Sequence, residues 1–293
     1  MHPLLFEIPF LHLKIHSYGV MVALGMLVGI WVSVLRAKRA GVAPDIFYDI
    51  GLWSMVAGIL GARAAYVAQN LEQYSGEQFW YLFQASWLTW LKIPRALAIW
   101  EGGQVLYGGL ILAVLVDLWM LHRRNLPVLK IADLAAPGVL LGIGIGRLGC
   151  FLNGCCWGKV AEGLPWAVCF PAGSAVQRGQ IDRGLAGAHW GGDAMPVHPS
   201  QIYATIFGII LYIVLSVWYE RRRWDGQIFS LAIIGYGVAR FAEEHFRGDT
   251  ISQPRFWGAM DLNPGQYVSV FILAAGVLCY LIWGARDRKL ESP

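Results

Sequence analysis

Two arginines and two glutamates stand where a water-soluble chain seldom puts them, inside long apolar runs. Arg147 lies within Ile131 to Cys150, and Arg240, Glu243 and Glu244 lie within Gln227 to His245. At a rise of ~1.5 Å per residue, Arg147 sits ~24 Å along its segment and Arg240 ~21 Å along its own. Arg63, within Ile46 to Ala68, reaches ~26 Å, and Tyr107 enters from the opposite side to a similar level. A guanidinium is a bidentate partner for phosphate oxygens. Such groups at membrane depth face a bundle interior or a watery cavity, and equal depth for Arg147 and Arg240 points to an anionic lipid phosphate as their ligand.

Arg240, Glu243, Glu244 and Arg247 are spaced i, i+3, i+4 and i+7, so they share one helical face. Glu244 is placed to pair with Arg240, while Arg247 falls at the helix end, where snorkelling is the ordinary behaviour. The run 142–159 holds a literal GxGxxG at Gly144, Gly146 and Gly149. A dinucleotide fingerprint needs a preceding strand in a βαβ unit, so these glycines read instead as close-packing positions of a membrane helix. Five cysteines complete the reactive inventory. Cys150 and Cys279 read as small packing residues, and a disulfide from Cys169 to Cys155 or Cys156 is open. The spacing fits a structural zinc site poorly, so no metal is expected. His16, Tyr18, His198 and Tyr203 fall at segment ends, where such residues ordinarily anchor to the interface.

These groups must be carried by membrane-spanning helices. Of the 293 residues 57% are apolar and only 14% charged, with a formal charge of +4, against the ~25% charge of a soluble domain. That excludes a disordered chain, a nucleic-acid binder and a water-soluble enzyme. Seven stretches have spanning length: 18–35, 46–68, 105–121, 131–150, 201–219, 227–245 and 266–285. Short connections after the first, third, fifth and seventh each hold three basic residues, which puts the N-terminus outside and the C-terminus in the cytoplasm. Trp80, Trp87, Trp90, Trp100, Trp157, Trp166, Trp190 and Trp257 then fall on the outer side as interfacial anchors. The fold expected is an all-α integral membrane protein, a seven-transmembrane-helix bundle forming one domain over 1–293. External amphipathic arms would occupy about 70–104 and a small external lobe about 151–198. The first span reads as a retained helix and not a cleaved signal peptide.

Gly146-Arg147-Leu148-Gly149-Cys150-Phe151-Leu152-Asn153-Gly154-Cys155-Cys156-Trp157-Gly158 resembles the signature of the prolipoprotein diacylglyceryl transferases, close to G-R-[IL]-G-N-F-[IL]-N-G-E-x-W-G. Further matches follow in family order along almost the whole chain. They are His16-Ser17-Tyr18-Gly19, Gly61-Ala62-Arg63, Trp100-Glu101-Gly102-Gly103 with Tyr107-Gly108-Gly109, His198-Pro199-Ser200-Gln201-Ile202-Tyr203, and Tyr236-Gly237-Val238-Ala239-Arg240-Phe241 with Glu244, Phe246 and Arg247. The resemblance implies a multi-pass enzyme of the bacterial cytoplasmic membrane. It would move the diacylglyceryl group of phosphatidylglycerol onto the lipobox cysteine thiol of prolipoprotein signal peptides, releasing glycerol 1-phosphate. It implies no cofactor, and partners limited to membrane lipids and those peptides.

Carried over by position, the catalytic set is Arg147, Arg240, Tyr107 and Glu244. The substrate-binding set is Tyr18, Arg63, Asn153, Gly158, His198, Gln201, Tyr236 and Arg247. The chain departs from the pattern at Tyr107, where many members have His, and at Cys150 and Cys155, which replace Asn and Glu. A phenol of ordinary pKa about 10 is a poor base at neutral pH, so the proton acceptor stays open. Two other classes compete: a lipid transporter or scramblase, which calls for polar groups through the full thickness, and a membrane thiol–disulfide oxidoreductase built on Cys155-Cys156.

Overall fold

The computed structural model describes residues 4–8, 13–74, 80–82, 92–97, 103, 105–185, 192–249 and 262–291. Helix dominates. Two small strands, β1 (Leu4–Ile8) and β2 (Leu13–His16), lead into α1 (Ser17–Arg39) and are followed by α2 (Asp45–Gln69). A second pair, β3 (Trp80–Leu82) and β4 (Lys92–Pro94), is antiparallel with Tyr81 opposite Ile93. Then come α3 (Leu106–Arg123), α4 (Val128–Asn153), the short α5 (Ala175–Asp182), α6 (Ser200–Tyr219), α7 (Gln227–Phe246) and α8 (Pro264–Glu291).

Six of these, α1, α2, α3, α4, α6 and α8, are long and apolar enough to cross a membrane. The all-α membrane character is therefore present, with two-stranded pairs as a minor β addition. The seventh expected segment is helical as α7, but Arg240, Glu243 and Glu244 keep it outside that apolar set. The expected arm at 70–104 lies largely outside the described residues. Its described parts are β3, β4 and short 3₁₀ turns at Leu71–Tyr74 and Arg95–Leu97.

The chain forms two compact units. One comprises Lys14–Ala37 and Leu129–Pro293 with the first residues, and the other Lys38–Val128 with Ile8–Leu13. Within the first unit, two GxxxG pairs face each other across α1 and α4. A Cβ on Gly25 would stand 2.5 Å from the Gly142 carbonyl oxygen, and one on Gly29 would stand 3.0 Å from that of Gly138. Small residues let these backbones touch, which apolar side chains alone do not achieve in lipid. The fingerprint-like glycines also pack. Gly144 faces Thr205 and Gly208 of α6, and Gly149 faces Tyr18 and Met21 of α1. In the second unit α2 and α3 meet the same way, through Gly58 against Gly109 and Gly61 against Gly108.

The described residues 154–185 and 192–198 form a small lobe with its own core of Trp157, Phe170, Val176, Ala194 and Val197. Trp157 is buried there and so is no interfacial anchor; Trp166 is exposed. Ser174 caps α5 by accepting from the Gln177 N–H, and Gln180 clasps the Met195 backbone in both directions, at 3.1 and 2.9 Å.

The polar residues at the opposite ends of the helices are structural. Asp133 is wholly buried in α4 and accepts from the Gly226 and Phe229 N–H groups, both at 2.8 Å. It thereby satisfies two of the orphan donors at the start of α7, where Gly226 takes φ +97°. In the second unit Ser54 donates to Asp117 and Arg124 pairs with Asp49 at 2.6 Å. Asp133→Ala leaves two buried N–H groups unpaired and is expected to cost about 1–3 kcal/mol per lost acceptor. Asp133→Asn keeps one acceptor and should cost less. Thermal unfolding of the detergent-solubilised protein, followed by far-ultraviolet circular dichroism, checks the order.

Candidate functional site

The far ends of α4 and α7 carry one continuous chain of ion pairs. Arg147 points its guanidinium at Glu243, Nη1 to Oε1 at 3.1 Å and Nη2 to Oε2 at 3.3 Å. Glu243 also reaches Arg240 at 2.9 Å, and Arg240 reaches Glu244 at 2.6 Å. Arg247 continues the series, 3.4 Å from Glu244 and bidentate to Asp249 at 2.8 Å on both nitrogens. Signs alternate along the whole row, with three cations and three anions. Glu243 and Glu244 are 3% and 1% exposed, while the side chains of Arg147 and Arg240 are each 16% exposed. The carboxylates are sealed in, and the two arginines are largely buried beside them.

The helix spacing explains the row. Arg240, Glu243, Glu244 and Arg247 fall on one face of α7, and that face meets α4 where Arg147 emerges. Against Glu244 stands the start of α8: a Cβ on Gly265 would come within 2.6 Å of its carboxylate oxygen. The positive end of that helix dipole favours the anion. Polar capacity is left over in the row. Arg240 Nη1, Glu243 Oε1 and Glu244 Oε1 are buried without a well-aligned hydrogen bond, the condition of a site prepared for a polar ligand.

Glu243 is the residue that sequence reasoning missed as a member of the site. Its signal was its place three residues after Arg240. The arginine at 147 then takes its counter-ion from another helix, in a chain whose own motif has Cys155 where the signature has Glu.

Several expected binding residues gather beside this row. Tyr18, 45% exposed at the start of α1, is within electrostatic reach of Arg147, as is Tyr236, one turn before Arg240. Asn153 ends α4, two residues before Cys155. It also lines a cleft of about 390 Å³ with Phe170 and Arg178. Other expected binding residues hold backbone in place. Gln201, wholly buried, donates to the Cys155 carbonyl at 2.7 Å, and Ser200 donates to that of Cys156 at 2.7 Å. Gly158 lies against His198, where a Cβ would meet the His198 Cβ at 2.6 Å. His198 Nδ1 is 3.2 Å from the Tyr203 hydroxyl. Arg247, read as a snorkelling group, is instead fixed between Glu244 and Asp249.

Two expected site residues belong to the second unit. Arg63 is 4% exposed and donates to the Ala96 and Gly103 carbonyls at 2.8 and 3.2 Å, with its guanidinium over Tyr66 and Tyr74. It ties the turn at Arg95–Leu97 and Gly103 to α2. Tyr107, in the first turn of α3, is 56% exposed.

The cysteines differ from expectation. All five are free, so Cys169 forms no disulfide, and it is exposed. Cys150 is buried as expected of a packing residue, yet its sulfur lies with those of Cys155 and Cys156, all within 4.8 Å of one another. Hydrogen bonds from the Cys150 thiol, and then from Cys156, hold the Cys155 thiol below its ordinary pKa. A cavity of about 1210 Å³ lies near the start of α7, ~20 Å from Arg240 along that helix, lined by Trp218, Arg221, Arg223, Trp224, Tyr280 and Asp287 among others.

Comparison with known proteins decides the kinship. Residues 3–282 match the family model described as prolipoprotein diacylglyceryl transferase. The chain belongs to that family. A phosphatidylglycerol–prolipoprotein diacylglyceryl transferase of Clostridium tetani (strain Massachusetts / E88) is 32% identical over 283 residues, covering 96% of this chain and 98% of the relative. Proteins of the same name from Serratia proteamaculans (strain 568) and Sodalis glossinidius (strain morsitans) are 31% and 32% identical. Each alignment covers 95% of this chain and 92% of the relative.

Glu243→Ala removes the only carboxylate described against Arg147 and one of two against Arg240. Breaking such a pair typically costs about 3–5 kcal/mol, and the partial exposure of the arginines puts this site at the low end. Glu243→Gln keeps the shape and should recover much of that loss. Unfolding midpoints of both variants in one detergent test the ranking.

Proposed function

We infer that this family member transfers the diacylglyceryl group of phosphatidylglycerol to the lipobox cysteine thiol of prolipoproteins. The observation that carries the reading is the pair of arginines, on two helices, whose guanidinium groups share one carboxylate. A phosphodiester anion offers the same planar pairs of oxygens as a carboxylate and takes the place of Glu243 between the forks. Arg147 and Arg240 then stabilise the charge that grows on phosphate as the glyceryl C–O bond breaks. The substrate thiol supplies the nucleophile: its sulfur bonds to the glyceryl carbon, glycerol 1-phosphate leaves, and the thiol proton passes to a base. Glu243, released from its arginines, is a carboxylate already at the phosphate site and suited to receive that proton. Glu244 orients Arg240 throughout.

Tyr18, Asn153 and Tyr236 border the headgroup. Arg63, Gly158, His198, Gln201 and Arg247 act through the backbone and side chains they hold. Tyr107, exposed in the first turn of α3, is a further catalytic candidate through its hydroxyl. The seven long helices all cross the bacterial cytoplasmic membrane as one domain, with the N-terminus outside, so that the ion row meets phospholipid and signal peptide at the outer leaflet. Transport is disfavoured by the fate of the remaining acids of the long helices. Asp133 caps a helix, Asp117 takes a serine hydroxyl and Asp49 takes an arginine, so the described acids form no relay from face to face.

Purified protein reconstituted with phosphatidylglycerol and a lipobox peptide, read by mass spectrometry for added diacylglyceryl, tests the activity. Arg147→Ala should lower turnover by roughly 10²–10³-fold in a folded protein, and Arg147→Lys should also be poor, because an ammonium has no fork. Near-normal turnover of the alanine variant would remove the phosphate clamp. Tyr107→Phe should leave the melting temperature unchanged and reduce kcat more than lipid affinity. Full activity of that variant would take the hydroxyl out of the mechanism.

A further inference from the structure

The transfer reaction needs none of the chain's own thiols, yet three of them converge. Cys150 closes the last turns of α4, and Cys155 and Cys156 follow in the turn leaving it. Their sulfurs all lie within 4.8 Å of one another. In a site with metal–sulfur bonds of about 2.3 Å, neighbouring sulfurs stand about 3.8 Å apart. Side-chain rotation of less than ~1 Å closes that difference.

The backbone that presents them is unusually fixed. Gly154 takes φ +74° and Cys156 takes φ +58°, a left-handed conformation that a residue with a Cβ rarely holds unless its surroundings impose it. The surroundings here are two wholly buried side chains at the start of α6. Ser200 donates to the Cys156 carbonyl and Gln201 to the Cys155 carbonyl. The Cys155 N–H in turn donates to the Cys150 carbonyl at 3.1 Å. Side chains that lock a ligand-bearing turn are what a metal site requires around it. The composition of the triad is equally specific. Two of its members, Cys150 and Cys155, stand where the family signature carries Asn and Glu, and both are replaced by the same soft donor.

We propose that Cys150, Cys155 and Cys156 bind one thiophilic d¹⁰ cation, zinc(II) or copper(I), through three thiolates. Softness of the donors selects these ions. Copper(I) is satisfied by three sulfurs, and zinc(II) adds a water as its fourth ligand. Binding releases the three thiol protons to solvent and leaves an excess of negative charge within electrostatic reach of Arg147. A disulfide accounts for the cluster less well, because it joins two sulfurs and leaves the third converging on nothing.

Full-length protein, purified in detergent with reductant and stripped with chelator, is titrated in separate arms with zinc(II) and copper(I). Bound metal is quantified by elemental mass spectrometry and by competition with a chromophoric chelator. One equivalent is expected in at least one arm, unchanged in Cys169→Ser and Cys279→Ser. Cys156→Ser should weaken binding at least tenfold, and the double variant Cys150→Asn/Cys155→Glu, which restores the signature residues, should abolish it. Size-exclusion profile and melting temperature identify which variants are folded, and the folded ones are read. Uptake well below one equivalent in both arms overturns the proposal. So does retention of tight binding in a folded Cys156→Ser or double variant, and so does loss of binding in Cys169→Ser.

Discussion

A charge taken out of water must find another charge, and this requirement organises the end of the molecule where α4, α7 and α8 meet. Two guanidinium groups placed there alone would sit in a poorly hydrated place with nothing to neutralise them. Glu243 answers that need by lying between both. Glu244 backs the second arginine and is itself held by the start of α8. The row is neutral as a whole, which makes it compatible with burial, and its inner carboxylate presents a pair of anionic oxygens, as a phosphodiester does. In the proposed reaction, binding exchanges one anion for another, at lower electrostatic cost than insertion of an anion into an uncharged cavity.

That exchange depends on accurate spacing between helices, and the spacing comes from residues with no chemistry of their own. The facing glycines of α1 and α4 bring backbone against backbone. Gly144 and Gly208 do the same for α4 and α6, so the segment bearing Arg147 is held on two sides. At the other end Asp133 closes the beginning of α7 from α4, tying together the two helices whose opposite ends carry Arg147 and Arg240. The lobe after α4 has a core of its own and ends in the segment that leads into α6. Its Arg183 side chain bonds the carbonyls of Gly248 and Asp249 just beyond α7.

The long helices were legible in the sequence, because runs of apolar residues of membrane length have few other uses. Every described helix of that length begins within one turn of its expected start. The arginines were legible too, since a lone cation in such a run demands an explanation, and the i, i+4 spacing of Arg240 and Glu244 exposed their pairing. Tertiary partners were not. Glu243 looked like a neighbour of the important residue, because nothing in a single helix says which element its face will meet. The same holds for the cysteines, whose convergence depends on a left-handed turn that local propensity does not favour. Trp157 shows the error in reverse: tryptophan near a membrane surface ordinarily anchors, but here it fills the core of a lobe too irregular to be read from periodicity.

The counter-ion of Arg147 arrives from α7 and not from its own motif, and this has a consequence for how such proteins diverge. The run from Gly146 to Gly158 looks like a self-contained cassette, yet its electrostatic balance is completed by a residue about a hundred positions away. Exchanging that run alone for one bearing the usual glutamate would place a surplus anion beside an arginine already neutralised. Deleting Glu243 without such an exchange would leave the cation bare. Each step is disfavoured alone, while the two together conserve charge. Charge balance therefore ties the two positions, and a chimera keeps it only when its seams respect that pairing.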